Sequence, residues 1–172
     1  MATVDELRLK ILDRPQVVID ERVGVGDGSR TVYKIGHSPI VEGSEVIRVD
    51  GEQSVSGEDY ELDCSTGRLT FMEAPGEGEA VVASYEFVAF TDSELQHFLD
   101  SSGGNLSLAA GEAIHALVAD RTKLVTWSRG STKIDYNQLR ADLIEMAKRF
   151  INQGRSEIGG AVIDEIDWEE IV

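Results

Sequence analysis

The chain has 172 residues, enough for one domain or two small ones. A composition of 41% hydrophobic and 28% charged residues, with only 3 prolines, is globular and excludes a disordered or Pro-rich chain. Its 32 acidic and 16 basic residues give a formal net charge of −16, which argues against a protein that grips a phosphate backbone with clustered Lys and Arg.

The first predicted element is a short helix. Thr3 and Glu6 have capping-box spacing, and Val4, Leu7 and Ile11 share one face. Arg14-Pro15 is expected to end it, because the residue before proline avoids the α region. From about residue 16 to 90 the pattern is β. Val17-Val18-Ile19 reads as a short apolar strand, and Gly24, Gly26 and Gly28 place Asp27 in a loop. Thr31 to Ile35 and Glu45 to Val49 alternate as half-buried strands do. Asp50-Gly51 is a hairpin turn, since both positions tolerate positive φ. Asp59 to Asp63 and Arg68 to Phe71 form a second hairpin, with Tyr60, Leu62, Leu69 and Phe71 inward. After a turn at Ala74 to Gly78, Ala80 to Phe90 is expected to be the longest strand.

At residue 91 the period becomes helical. Thr91 and Glu94 repeat the capping-box spacing, and Leu95, Phe98 and Leu99 line one face up to Gly103-Gly104. Asn105 or Ser107 caps the next helix, whose stripe is Ala110, Ala113, Ile114, Leu117 and Val118. Residues 122–134, with Trp127 and Gly130, are polar and irregular. Asp135 is expected to cap a long helix carrying Leu139, Leu143, Met146, Ala147 and Phe150, with Gly154 as its stop. The tail from 155 holds Gly159-Gly160 and then an acidic, apolar-studded run. No internal repeat is visible.

The negative charge is unevenly placed. Residues 51–90 carry 9 acids and 1 base, and residues 157–172 carry 6 acids and no base. That is either a solvated acidic surface or one built to avoid holding nucleic acid. No apolar run reaches the ~18 residues of a membrane span, and the polar start Met1 to Glu6 is unlike a signal peptide. The single cysteine, Cys64, excludes an internal disulfide and a Cys-rich zinc site, and a reducing compartment is the simplest reading.

Catalytic and metal signatures are missing. His37, His97 and His115 have no partner at ligand spacing. Gly24 to Gly28 lacks the Gly-Lys-Ser/Thr ending of a phosphate loop. Asp27, Asp50, Asp59 and Asp63 do not follow the twelve-residue calcium pattern. Ser65 and Ser128 lack a nucleophile elbow. Cys64 beside Asp63 should have a raised pKa, which makes it a poor nucleophile. The reading is therefore no enzyme, no cofactor and no metal, with an interaction protein in their place. The candidate contact residues are Val162, Ile163, Ile166, Trp168 and Ile171, together with Val172. They either pack on the chain's own helices or dock on another subunit.

Thr91 to Leu99, Leu108 to Leu117, and Lys133 to Leu139 followed by Ala147 to Phe150 together resemble the helical core of tailed-phage head–tail adaptor (connector, or head completion) proteins. Residues 26–90 resemble β modules of phage structural proteins through Gly26-Asp27-Gly28, Thr31-Val32-Tyr33, Val49-Asp50-Gly51, Asp59-Tyr60, Gly67 to Phe71 and Ala74-Pro75. The expected fold is α+β: a small helical-bundle core (1–14 and 91–156), an inserted antiparallel β-sandwich or barrel (15–90), and an extended acidic docking tail (157–172). The resemblance implies a virion protein of the neck, made in the host cytoplasm. It implies a homo-oligomeric ring, typically a dodecamer, that binds the portal protein and offers a platform to the next neck or tail protein. Genomic double-stranded DNA would pass through its channel without specific binding, and no membrane is involved. The alternative reading is a virion decoration or adhesion module built on the β-sandwich, and a virion-associated enzyme stands third.

Overall fold

The computed structural model describes residues 2–120 and 136–159. Among them the chain is mixed α+β, with four helices and two antiparallel sheets. The helices are α1 (Val4–Ile11), α2 (Asp92–Ser101), α3 (Leu106–Ala119) and α4 (Tyr136–Glu157). The strands are β1 (Gln16–Val25), β2 (Val32–Lys34), β3 (Val46–Val49), β4 (Glu52–Gln53), β5 (Tyr60–Asp63), β6 (Arg68–Phe71) and β7 (Ala80–Phe87). They fall into two compact units. One joins the described residues up to Leu12 with those from Asp92 onward, and the other is Asp13–Thr91.

In the helical unit, α1 begins with a complete capping box. Thr3 Oγ1 accepts from Glu6 N at 3.2 Å, and Glu6 Oε2 accepts from Thr3 N at 2.9 Å. The helix does not run to Arg14-Pro15. Leu12 adopts a left-handed conformation, with φ at 59°, and its N–H closes on Arg8 and Leu9 carbonyls. α3 is the central helix and meets α1, α2 and α4. Asn105 is its N-cap, accepting from Leu108 N at 2.9 Å, while Ser107 lies buried in the first turn. The α3 stripe is buried, and Ala109 and Gly111 join it.

Gly154 does not stop α4, which continues to Glu157. Its role is close approach. A Cβ at Gly154 would lie 2.6 Å from Leu108 Cγ and 2.8 Å from Leu108 N. Gly111 answers from α3, where a Cβ would lie 2.5 Å from Ile151 Cγ1. Absent side chains at these two points let α3 and α4 pack backbone to backbone. The residue that breaks the helix is Gly159, with φ at 77°.

In the β unit, one sheet has the order β1-β7-β3-β4 and the other β2-β6-β5, every pairing antiparallel. One hydrophobic core draws on both: Tyr33, Tyr60, Leu69 and Phe71 from the smaller sheet, Ile47, Val81, Ala83, Tyr85 and Phe87 from the larger. Burying each of these larger side chains is worth roughly 1.5–3 kcal/mol. β7 alternates buried and half-buried along its length, the period-two pattern of a strand with one face inward. The Asp50-Gly51 turn has φ of 50° and 89°, and it pairs Val49 with Glu52. Tyr60 faces Phe71 and Leu62 faces Leu69 across the second hairpin.

Two strand expectations change. The longest strand is β1, not β7, because pairing with β7 continues past Ile19 through Asp20-Glu21-Arg22 to Val25. Gly24 therefore lies in a strand, where a Cβ would come within 2.9 Å of the Tyr33 ring. The extension is possible because β1 absorbs register shifts between Val18 and Glu21 and between Arg22 and Gly24. Pattern reading stopped at Ile19 because charged residues at a bulge break the alternation. The junction into the sheet is set by Asp13, which is only 3% exposed. Its carboxylate accepts from Ala89 N at 2.7 Å and from Phe90 N at 3.2 Å.

Candidate interaction surfaces

The residues weighed for chemistry are taken up by local structure. Asp27 Oδ1 accepts from Ser29 N, Ser29 Oγ and Arg30 N at 2.7–2.9 Å, closing its own loop. Those backbone bonds, Arg30's first, hold its carboxyl below the usual range. Asp63 repeats the device at the next hairpin. It accepts from Ser65 Oγ and Thr66 Oγ1, both at 2.6 Å, and from the two backbone N–H groups. Its pKa falls to about 2, chiefly through those hydroxyls. Asp59 Oδ2 accepts from Val55 N at 2.7 Å. Asp27, Asp50, Asp59 and Asp63 thus lie in separate turns, and no metal-holding cluster is found among the described residues.

Cys64 is held protonated by burial first, then by Glu45 and Glu42, with Asp63 the smallest cause. The neighbour in sequence matters less than the surroundings in space. His37 stacks on Phe87, ring centroids 4.6 Å apart and 18° between planes. His115 lies on α3, its pKa lowered by burial and by Lys148. His97 is exposed on α2. The three histidines do not converge.

Two further places stand out in the described residues. The first is the C-terminal end of α4. Glu157 accepts from Gln153 Nε2 at 2.9 Å, from Asn105 Nδ2 at 3.2 Å and from Ser107 Oγ at 3.2 Å. Lys10 Nζ donates to the same Ser107 Oγ at 3.1 Å and sits 5.1 Å from the Phe150 ring centroid. The Glu157 carboxylate therefore lies at the N-terminus of α3, where the helix dipole favours negative charge. Its pKa is lowered, by the Gln153 hydrogen bond first and, against the opposing effect of burial, by those of Ser107 and Asn105 and by the Lys10 charge. This network fixes the point from which the tail departs. The tail residues Val162, Ile163, Ile166, Trp168 and Ile171, with Val172, lie outside the described residues, as do Asp135, Trp127 and Ser128.

The second place is β1, the outermost strand of the larger sheet. Val17 is 65% exposed and Ile19 74%, while Val18 between them packs against the core. Asp20, with φ at 52°, turns the strand at its bulge. Its carboxylate receives Arg48 Nη1 at 3.0 Å and Ser84 Oγ at 3.2 Å, while Ser84 Oγ accepts from Asp20 N at 3.0 Å. Glu21 accepts from Tyr85 Oη at 2.6 Å. Sequence reading took Val17-Val18-Ile19 as uniformly apolar and missed that two of the three face solvent. The only sequence signal was the charged triplet that follows, which marks a bulged edge rather than a central strand.

Comparison with protein-family models and with curated proteins finds no match to this chain.

Proposed function

We propose that the chain is a head–tail adaptor of a tailed phage: a virion subunit that assembles as a homo-oligomeric ring below the portal. In this reading the helical unit is a small bundle that carries an inserted β-sandwich or barrel, and the ring extends the DNA channel. The observation that supports it most is the discontinuous helical unit. The stretches that resemble the adaptor core, at the start of the chain and after residue 91, belong to one compact unit although about 80 residues separate them. Arg8 of α1 ties to Asp92 at the start of α2, with Nη2 2.8 Å from Oδ1. That arrangement carries a β module without interrupting the helical packing.

Charge supports the same reading. A channel wall that bound phosphates by counterion release would hold the genome, whereas an acidic one lets it slide. The acidic tail, with Trp168 as anchor, is assigned to the portal or to a neighbouring adaptor, because a buried Trp often carries ~2 kcal/mol or more of an interface. Its partner surface is then basic or apolar. A head-to-tail contact of this kind closes into a ring when the rotation closes. No enzymatic step, cofactor or metal enters the reading.

The test is attachment. A chain ending at Glu157 keeps the α4 network and is expected to fold with near-native circular dichroism and melting, yet fail to join portal-bearing heads. Negative-stain images of the full chain should show rings. Attachment by the shortened chain as efficient as by the full one removes the docking role of the tail. A decoration or adhesion module is the second reading, favoured by a β unit with its own core. Discrete monomers or dimers that coat heads away from the neck would support it instead.

A further inference from the structure

Half of the chain's sixteen bases lie in residues 121–155, a stretch with only three acids in a chain of net charge −16. Four of these bases stand on α4: Arg140, Lys148, Arg149 and Arg155. Arg149 is matched by Glu145 one turn before it. The other three share a face with two isoleucines, because Arg140, Ile144, Lys148, Ile151 and Arg155 follow one another at intervals of four, four, three and four residues. All five are half-buried. The face leans on α3, where Ile151 lies against Gly111 and Lys148 adds to the burial that lowers the pKa of His115.

No acid of α4 shares this face. Asp142 is held by Gln138 at 2.7 Å, and Glu157 by Gln153 and the start of α3. On α3, Glu112 receives Ser101 Oγ at 2.7 Å. Arg140 and Arg155 form no ion pair among the described residues, and Arg140 Nε is closed off from water without a hydrogen-bond partner. A buried donor left unpaired is costly, and a carboxylate is its strongest remedy.

The complementary segment stands immediately beyond α4. Residues 161–172 hold five acids and no base, with Ile163, Ile166 and Trp168 among them. They supply carboxylates for the cations and apolar side chains for Ile144 and Ile151. Gly159, with φ at 77°, takes the chain out of the helix just past Arg155. The helix from Arg140 to Arg155 is ~22 Å long, and the twelve residues of the segment reach ~40 Å when extended, so every base of the face is within reach of its own chain. A short tether holds the segment there at an effective concentration of about millimolar, which favours its own helix over that of another copy.

We propose that residues 161–172 fold back as a strap along the Arg140, Ile144, Lys148, Ile151 and Arg155 face of their own α4, with carboxylates on the three cations. A lone subunit thereby stores the segment it later offers to the portal. Release needs a competing basic or apolar surface, and the strap rests on the adaptor reading for that last step alone.

Hydrogen–deuterium exchange on the full chain tests it. Amides of 161–172 should exchange about tenfold or more slowly than in a free peptide of the same sequence, at a rate unchanged over an about hundredfold dilution. Arg140→Glu with Arg155→Glu should bring exchange to the peptide rate while melting stays near the parent's. Arg155→Glu alone, near the helix end, should move it part of the way. Lysine at all five acids of the segment should also free it, and combining the two sets of changes should restore protection. The inference falls if the tail of the full chain exchanges like the peptide or if charge reversal on α4 leaves its protection intact. It falls equally if dilution removes the protection, which would assign the contact to another copy. A protected tail in a protein that never joins phage heads keeps the strap and discards the adaptor. Head attachment by a subunit whose free form has an unprotected tail does the reverse.

Discussion

Gly154→Ala tests whether α3 and α4 approach as closely as the structure describes. On a solvent-facing helix, replacing Gly by Ala stabilises by about 1 kcal/mol through propensity alone. At Gly154 the new methyl meets three neighbours: Leu108 Cγ at 2.6 Å, Asn105 Oδ1 at 2.7 Å and Leu108 N at 2.8 Å. Leu108 N is backbone and cannot yield by changing rotamer. Overpacking of this kind costs about 1–3 kcal/mol. Asn105 Oδ1 is also the α3 cap, so displacing it adds the roughly 1 kcal/mol a lost cap costs. The two costs outweigh the gain, leaving a net destabilisation of about 1–3 kcal/mol. For a chain of this length that lowers Tm by roughly 3–10 °C. Thermal melts by far-ultraviolet circular dichroism read it directly. Asn152→Ala, two residues earlier on the exposed face of α4, serves as the control and should change little. A Gly154→Ala protein that melts at or above the parent would refute the close approach and restore Gly154 as an ordinary helix glycine.

Four further outcomes follow from the same geometry. Asp13→Ala strands the Ala89 and Phe90 N–H groups in a buried site and should cost about 1–3 kcal/mol for each, read by denaturant unfolding. Leu117→Ala, at a position 4% exposed, should cost roughly 2–5 kcal/mol; unchanged melting would show that the α3 stripe is not packed. Asp63 has a folded pKa of about 2 against an ordinary 3.8, so its stabilisation is complete above the ordinary value and is lost as pH falls through about 2. The stability gap between parent and Asp63→Ala should therefore be constant near neutrality and close in that acid range, and a gap independent of pH would deny the hydroxyl contacts. Duplex DNA should bind weakly and without sequence preference in a shift assay, and tight binding with a steep salt slope would overturn the channel reading.

Legibility in the sequence followed the reach of the interaction. Thr3 with Glu6, Asp50-Gly51, and an α3 cap at Asn105 or Ser107 were readable because a cap or a two-residue turn is decided within about four positions; the structure selects Asn105. The same holds for Tyr60, Leu62, Leu69 and Phe71, whose alternation fixes the inward face. Gly154 was misread because a glycine that ends a helix and a glycine that admits a neighbouring backbone look alike in one dimension; Leu108, 46 residues away, is what separates them. Asp13 was passed over for the same reason, since its two donors lie 76 and 77 residues downstream. β1 was cut short because its continuation depends on β7 tolerating bulges. Val17 and Ile19 are exposed because they lie on the face of β1 opposite Val18, which packs against the core, and an uninterrupted apolar triplet does not show which of its two faces is inward.

The acidity of the chain divides once the carboxylates are placed. Among the nine acids of residues 51–90, Asp59, Asp63 and Glu79 accept backbone N–H groups within their own turns. A turn in any protein recruits a carboxylate in this way, whatever the protein binds. Those three charges therefore say nothing about DNA. Asp27, Glu6 and Asp13 are accounted for similarly elsewhere, as loop closure, helix cap and buried junction. What turn chemistry does not explain in this middle stretch is the remainder, including exposed Glu52, Glu58, Glu61, Glu73 and Glu77, set against Arg68 as the one base. Any repulsion of DNA by this stretch beyond turn chemistry resides in this residual set. Replacing Asp63 or Asp27 would test loop stability, and replacing the exposed glutamates by glutamine would test the surface field without disturbing a turn. If the acidic surface exists to keep DNA from adhering, the glutamine set should raise non-specific DNA affinity while leaving the melting temperature nearly unchanged, a separation that a purely structural role for these residues does not produce.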